Sequence, residues 1–305
     1  MATPERTLLT GTTGFVGSRI ARRLFERGAP VRSIVRRAGA DPSLNHPLHE
    51  EIVGDFIDPS VAARAAAGCA AVIHAAATGG PDLEPVRRVN VEGTVSMLEA
   101  AKAAGASRFI HISTVSVYDV RGLESVDEGS PLKIEGDPYG VTKAEGDRRV
   151  LDATARGLSA TILRPSAILG VHPTSTWAVV VPRRVRDRQM KLLRGGGNTV
   201  PFVHVEDLVD AVLLAIQNPR AVGRTYNVLA RNGTWREYTD EVRSWFGTPP
   251  LDEIPDAEAA GMTYWTGSFR ADRIAEELAW RPARTYEEGM EEAAREWRGT
   301  GSMRC

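Results

Sequence analysis

Between Thr7 and Arg164, short runs of almost wholly apolar and β-branched residues alternate with stretches of helical periodicity, and that alternation limits the chain to one class of fold. The runs fall at residues 7–10, 31–35, 51–53, 71–76, 108–113 and 160–163. Between them lie helical stretches at 15–27, 59–67, 85–104 and 139–156. Strands that are apolar throughout and separated by helices require a parallel sheet covered on both faces. The expected fold is α/β, a doubly wound parallel sheet spanning residues 1–165. After Pro165 the alternation weakens. A helix near 177–191, a glycine run at 195–197, strands at 200–205 and 225–229, and helices at 206–217, 234–246 and 286–298 predict a smaller mixed α/β lobe over 166–305. This lobe faces the substrate, and some of its segments return to the first domain. Two long loops, 121–136 and 248–265, are placed to shape a site rather than a core.

Charge and composition remove several classes of function. The 38 basic and 39 acidic residues leave a formal net charge of −1, so no overall positive field draws the chain to nucleic-acid phosphates or anionic lipid. No nucleic-acid or membrane partner is expected, and no run of about 18 apolar residues occurs. Met1 to Arg6 shows no apolar leader. Cys69, in an apolar stretch, and Cys305, at the last position, have neither metal-ligand spacing nor a pairing partner, which fits a reducing cytoplasm. Six scattered histidines form neither an HExxH motif nor a Cys/His cluster, so no metal is expected. His204, at a strand end before a helix, reads as a structural hydrogen-bonding residue.

The run Thr10-Gly11-Thr12-Thr13-Gly14-Phe15-Val16-Gly17 follows the first strand and opens the first helix. There Gly11 permits a tight turn, Gly14 lets the backbone approach a diphosphate, and Gly17 lets the helix pack close to the sheet, while the helix N-terminus favours negative charge. This is a dinucleotide-binding, Rossmann-type arrangement; an ordinary glycine-rich turn is the alternative. About 20 residues on, where an acidic side chain would bind the ribose 2′-hydroxyl of NAD, the second strand ends in Arg36-Arg37. A guanidinium fork suits a 2′-phosphate, so NADP(H) is favoured over NAD(H), against the plainer reading of two solvated arginines. After the third strand, Asp55 is placed to accept from the adenine amino group with Phe56 beside it. Asp58 reads better as the cap of the helix that begins at Pro59.

Tyr139-Gly140-Val141-Thr142-Lys143 carries the chemistry. Four residues apart on a helix, the phenol and the ammonium share a face, and the ammonium is expected to favour the ionised phenol and lower its pKa from about 10. Tyr139 then serves as a proton donor or acceptor. With six tyrosines and only four lysines against thirty-four arginines, this spacing rarely arises by accident. Upstream, the fifth strand ends in Ser113-Thr114, where open α/β sheets bind ligands. Thr114 can donate to a carbonyl or simply cap the strand.

These residues together resemble the extended short-chain dehydrogenase/reductase family, also called the NAD-dependent epimerase/dehydratase family. The likeness runs over nearly the whole chain: the Thr10 to Gly17 fingerprint, Asp55, Val72-Ile73-His74-Ala75-Ala76-Ala77, Asn90 in Asn90-Val91-Glu92-Gly93-Thr94, Ser113-Thr114-Val115-Ser116-Val117-Tyr118, Tyr139 with Lys143, Leu163-Arg164-Pro165 with Gly170, Phe202-Val203-His204-Val205-Glu206-Asp207, and Tyr226-Asn227-Val228. The resemblance implies that Thr114 fills the family's catalytic Ser/Thr place, that Tyr139 is the acid/base, and that Lys143 also holds the nicotinamide ribose. It implies that Pro165, Ser166, Ala167 and Ile168 line the nicotinamide side. Further cofactor contacts are expected from Thr13, Phe15, Val16, Phe56, Ala75, Ala76, Ala77, Asn90 and Ile112. A homodimer is the family expectation, pairing helices 85–104 and 139–156 of two subunits, with Val89, Met97, Leu98, Val150 and Leu151 either in that interface or facing the sheet.

Departures from the pattern narrow the reaction. Family dehydratases usually place Asp-Glu directly after the catalytic Thr; here Val115 and Ser116 stand there, which disfavours sugar dehydration. Many family epimerases carry an acidic residue at the end of the second strand and keep their NAD, whereas Arg36 suits an exchanging NADP. The expected function is therefore an NADPH-dependent reductase that delivers hydride to a ketone, one candidate being a keto-sugar nucleotide. A nucleotide-sugar epimerase with bound NAD(P) and a non-catalytic NADP-sensing module are the alternatives. Substrate contacts are expected from Thr78, Ser116, Trp177 and Arg183. Arg184 and Arg186 read either as diphosphate contacts or as a solvated helical face, and Trp265 as pocket or core.

Overall fold

The computed structural model describes residues 5–40, 44–259 and 261–299. Cys305 and the first four residues of the N-terminal segment lie outside them. The first half runs β1 (Thr7–Thr10), α1 (Phe15–Glu26), β2 (Val31–Val35), β3 (His49–Val53), α2 (Pro59–Ala66), β4 (Ala71–His74), α3 (Leu83–Arg87) and α4 (Gly93–Ala103). It continues through β5 (Arg108–Ile112), β6 (Ser125–Val126), α5 (Pro138–Ala155) and β7 (Ala160–Pro165). Then follow β8 (Ala167–Leu169), α6 (Val181–Arg186), β9 (Thr199–His204), α7 (Val205–Gln217), β10 (Thr225–Val228) and β11 (Arg231–Thr234). The chain closes with α8 (Trp235–Phe246), α9 (Asp256–Ala259), β12 (Ser268–Phe269), α10 (Asp272–Leu278) and α11 (Tyr286–Gly299). Among the described residues no helix is long and apolar enough to cross a membrane.

Seven strands form one parallel sheet in the order β10-β7-β5-β4-β1-β2-β3. The period of two sends alternate residues to opposite faces. Leu8, Val72, Phe109 and Ile162 join Val61, Met97, Leu98 and Val150 of α2, α4 and α5 on one side. Leu9, Ile73, Ile110 and Leu163 join Ile20 and Leu24 of α1 and Leu208 and Val212 of α7 on the other. The doubly wound parallel architecture is therefore present, with a smaller region beside it. In that region β11-β9-β8 form a second sheet, packed through Leu169, Phe202, Val185, Tyr238 and Met290 against α6, α8 and α11. The chain nevertheless crosses back: β10 pairs with β7 (Tyr226 against Leu163), and α7 is tied to α1 by Arg23 to Asp210 at 2.6 Å.

Local chemistry sets where the main helices begin. Asp58 caps α2 through Ser60 N at 2.8 Å, Asp137 caps α5 through Gly140 N at 2.7 Å, and each is followed by a proline that needs no N–H partner. Thr234 and Glu237 form a capping box on α8. Other expectations need correction. The helix expected over 85–104 is broken by a π-turn at Arg88–Glu92, and that expected over 177–191 is a π-turn (Thr176–Val180) and α6, ending before Arg188 at positive φ. Met97, Leu98 and Val150 face the sheet, so the apolar side chains exposed on the outer faces of these helices are Leu83, Val95 and Leu151.

Asp207, buried on α7, accepts from the backbone of Ala283 and Arg284 at 3.1 Å each and from the Arg284 guanidinium at 2.9 Å, fastening the segment that leads into α11. Asp207→Ala should strip three donors of their acceptor and lower the unfolding free energy by about 2–4 kcal/mol. Urea denaturation checks this; a loss below about 0.5 kcal/mol, the size of an ordinary surface change, would show that the clamp contributes nothing.

Candidate active site

The site grows from the ends of the neighbouring strands β1 and β4, where the strand order reverses and where ligands reach the ends of parallel strands. Gly11 turns the chain there at φ +77°, and a Cβ on it would stand 2.9 Å from Ala76 N at the end of β4. A Cβ on Gly17 would stand 2.1 Å from Gly11 O, so α1 can seat on the turn only with glycine at both places. No side chain caps α1, whereas α2, α5 and α8 carry their own caps. Its first amides are left for an anionic group. Thr12 Oγ1 is buried without a partner in the same turn, Thr13 is exposed at its tip, Val16 is half-buried, and Phe15 stacks on His172 at 5.6 Å.

Arg36 and Arg37 leave β2 exposed, and neither guanidinium has an ion-pair partner among the described residues. Asp55 is exposed, with Oδ1 accepting from Ile57 N at 3.0 Å. The Phe56 ring is committed to packing, edge-on to His74 at 5.5 Å and against Gly93. Ala75 and Ala76 are partly buried and Ala77 exposed; Ala76 N donates to Thr10 Oγ1 at 3.2 Å. Asn90 differs from expectation. Its Oδ1 accepts from Thr78 N (2.9 Å), and its Nδ2 donates to Thr78 O (2.9 Å) and Thr142 Oγ1 (3.0 Å), so both amide hydrogens of the buried side chain are committed within the chain. It ties the loop after β4 to the helix that carries Tyr139, and it reaches both because the π-turn places it between them.

Thr114 lies two residues past β5, accepts from Ser116 N at 3.1 Å, and hydrogen-bonds the Tyr139 phenol. The approach is close because residue 140 is glycine: a Cβ there would lie 2.7 Å from Ser116 O. Lys143 is buried one turn later on α5. Its Nζ donates to Ile112 O at 2.8 Å and lies 3.3 Å from His111 Nε2. Spacing alone predicts a lowered phenol pKa, and here the structure differs. Desolvation pushes Tyr139 up to about 12, with the Thr114 hydrogen bond opposing, because the ammonium is directed at the strand end rather than at the phenol. Burial in turn pulls Lys143 down to about 8, with Asp147 opposing. At neutral pH the pair is a protonated phenol and an ammonium, which suits donation of a proton.

Ser113 Oγ and Ser166 Oγ are buried and lack hydrogen-bond partners, one beyond each of β5 and β7. Together with Thr12 Oγ1 they fit a polar group that completes them from outside the chain. Ser113 is one of the two hydroxyls expected at the end of the fifth strand, and Ser166 lies within the stretch 165–168 that the resemblance places beside the nicotinamide. Pro165, Ala167 and Ile168 lie where the chain passes from the large sheet to the small one, Pro165 pairing with Val228 and Ala167 with Phe202.

On the substrate side the expected residues divide. Thr78 and Ser116 stand beside Asn90 and Thr114 respectively. Trp177 instead packs into an aromatic cluster with Trp235 (5.2 Å), Tyr238 (5.3 Å) and Phe202 (5.7 Å). Arg183 is half-buried on α6 and Arg184 exposed, whereas Arg186 is taken by Asp187 at 2.7 Å and lies over the Trp297 ring. Trp265 donates to Leu123 O and packs on Phe269. His204 caps α7 and lies 3.2 Å from Glu292, a structural role. Among the described residues no group of three His, Cys, Asp or Glu could hold a metal ion.

Known proteins are similar to this chain in sequence and in fold. The chain is 32% identical over 217 residues to a 4-hydroxy-2-methyl-3-oxo-4-farnesyl-3,4-dihydroquinoline-1-oxide ketoreductase of Stigmatella aurantiaca, covering 70% of this chain and 64% of that protein, so it spans under two thirds of that relative's length. It is 31% identical over 265 residues to a 2-alkyl-3-oxoalkanoate reductase of Stenotrophomonas maltophilia, covering 81% and 77%. A dTDP-glucose 4,6-dehydratase from Streptomyces venezuelae, solved with NAD bound, superposes with a TM-score of 0.84 at 25% identity over 97% of this chain and 98% of that one. The profile of the NAD dependent epimerase/dehydratase family matches residues 7–228, from β1 to the end of β10, and the chain belongs to that family.

Proposed function

We propose that this chain is an NADPH-dependent ketoreductase. The observation that carries the reading is the meeting of Thr114, a protonated Tyr139 and the Lys143 ammonium at the strand ends beside an uncapped glycine turn. The ketoreductase relatives favour a ketone over a sugar nucleotide as substrate. The amides of Phe15 and Val16 would hold the diphosphate, Arg36 and Arg37 the 2′-phosphate, and Lys143 the nicotinamide ribose. When bound, NADPH supplies a hydride to the carbonyl carbon. Thr114 donates to the carbonyl oxygen and fixes it, and Tyr139 gives its proton to that oxygen as charge develops there. Of the three ammonium protons of Lys143, one goes to Ile112 O and one meets His111, leaving the third for a ribose hydroxyl.

A dimer through the outer faces of α4 and α5 belongs to the same proposal, resting on exposed Val95 and Leu151 beside Leu83. Light scattering at micromolar concentration should find a dimer, and Leu151→Glu should yield a monomer; a monomeric parent protein refutes the interface.

For the cofactor, calorimetry should find NADPH bound more tightly than NADH by about 1.5–3 kcal/mol, with most of that preference gone in Arg36→Ala. Equal affinities for the two reduced cofactors would remove the 2′-phosphate assignment. For the chemistry, Tyr139→Phe should cut turnover by roughly 10²–10⁴-fold at nearly unchanged NADPH affinity, and Lys143→Ala should damage both. Near-full turnover in the Phe variant would exclude Tyr139 as the acid. With a suitable ketone, one NADPH should be oxidised per alcohol formed; inversion at a sugar carbon with no net NADPH loss would decide for an epimerase.

A further inference from the structure

His111 occupies the middle of a central strand, fully buried, on the face that Phe109 presents to α2, α4 and α5. An apolar side chain is the default at such a place, and an imidazole there loses its hydration unless polar groups replace water. Two do. Its Nε2 lies 3.3 Å from Lys143 Nζ and 3.5 Å from Asp147 Oδ1. Asp147, one turn beyond Lys143 on α5 and also fully buried, uses Oδ2 to accept from Arg164 Nε at 2.8 Å, while Oδ1 has no hydrogen bond. An ammonium only donates, so serving Lys143 requires a lone pair on Nε2 and the ring proton on Nδ1, whereas a proton on Nε2 would be aimed at Asp147 Oδ1 instead. That Nδ1 has no partner. In the tautomer that serves the lysine, the fold keeps one unpaired buried N–H in return for an acceptor placed against the ammonium.

We propose that His111 is a positioning residue of this site: its Nε2 lone pair and the carbonyl of Ile112 hold the Lys143 ammonium at the end of β5, with Asp147 as the counter-charge behind it. The proposal takes Lys143 as the ribose-holding residue of the reading above. The groups around the ammonium assign the titration to the lysine. From β4, His74 stacks on His111 at 5.7 Å and is itself bonded to Thr10 Oγ1 at 2.8 Å. From β7, Arg164 pairs with Asp147; on α5 itself stand Tyr139 and Asp147, while Glu145 is turned outward to Arg87 at 2.7 Å. Burial and the neighbouring ammonium pull His74 down to about 3 and His111 well below the usual imidazole range, so both rings are neutral at working pH. Lys143, near 8, is the group that changes charge: its ammonium is present below that pH and is lost above it.

The test reads cofactor binding rather than turnover. NADPH affinity, measured by calorimetry from pH 6 to 10, should be constant below about 8 and weaken above it as the ammonium is lost. In His111→Phe, which keeps a ring but removes the acceptor, the bend should move down by about half a pH unit or more. His111→Gln, whose amide oxygen can accept in the same place, should move it back. In the parent protein without cofactor, ¹⁵N-histidine spectra should show one neutral imidazole in the Nδ1–H form with no titration down to pH 5, and His111→Phe should remove that signal. An unmoved bend in a folded His111→Phe protein overturns the proposal, as does a His111 signal in the Nε2–H form. The spectra of the parent protein decide alone if the Phe variant fails to fold. Failure of the ketoreductase reading, seen as tight NADPH binding without reduction of any ketone, leaves both readouts intact.

Discussion

Burial of the seven-stranded sheet on both faces is the constraint from which the rest of this molecule follows. Parallel strands covered on either side by helices can meet ligands only at their ends, and the order β3-β2-β1-β4-β5-β7-β10 opens a crevice where the chain reverses direction beside β1. The glycine turn, the loop after β4 and Thr114 all lie beyond strand ends on that one edge. Chemistry is gathered there because backbone groups within the strands are consumed by the ladder, while those past the strand ends are not.

Just below that edge the sheet breaks its own rule. Thr10, His74, His111, Arg164 and Asn227 form a polar row across five strands, with Arg164 donating to Tyr118 Oη at 2.7 Å and Tyr118 to Asn227 at 2.6 Å. A row of this kind stabilises little by itself, since the desolvation of a buried pair such as Arg164–Asp147 offsets much of its attraction. What it does supply is fixed direction. Thr10 and His74 hold each other across two strands, Arg164 is held by Asp147 and Tyr118, and Asn227 by Tyr118 and Arg270, so the lysine and the tyrosine on α5 meet a fixed floor. Asn90 acts in the same manner from the other side, clamping the loop after β4 to Thr142 between the two residues of the pair.

The smaller sheet has the opposite character. Its core is aromatic, built from Trp177, Phe202, Tyr238 and Tyr286, and it shares only short segments with the large sheet. Phe202 in β9 pairs with Ala167, two residues past the strand that carries Arg164. The placement of Ala167 and Ile168 at that junction therefore depends on the aromatic packing.

Several features were legible in the order of residues because they are local. The strands β1 and β2, the glycine turn and the Tyr139/Lys143 pair depend on spacings of a few residues, and spacing is what a sequence states directly. The strands β8 and β11 were not legible, since three or four residues such as Arg231-Asn232-Gly233-Thr234 become a strand only through the partner that β9 provides. Nor was the direction in which a buried side chain turns. Helical spacing puts Lys143 on the face of Tyr139, but Ile112 O, His111 and Asp147 come from distances that only packing closes, and they draw the ammonium to the strand end. The same holds for Asn90, consumed by Thr78, for Trp177, absorbed into a core, and for Met97, Leu98 and Val150, turned to the sheet. The sequence alone determined the fold class and which residues stand at the strand-end edge of the sheet, because periodicity and motif order are one-dimensional. Which charge faces which group was decided by the tertiary structure, because that depends on who is buried beside whom.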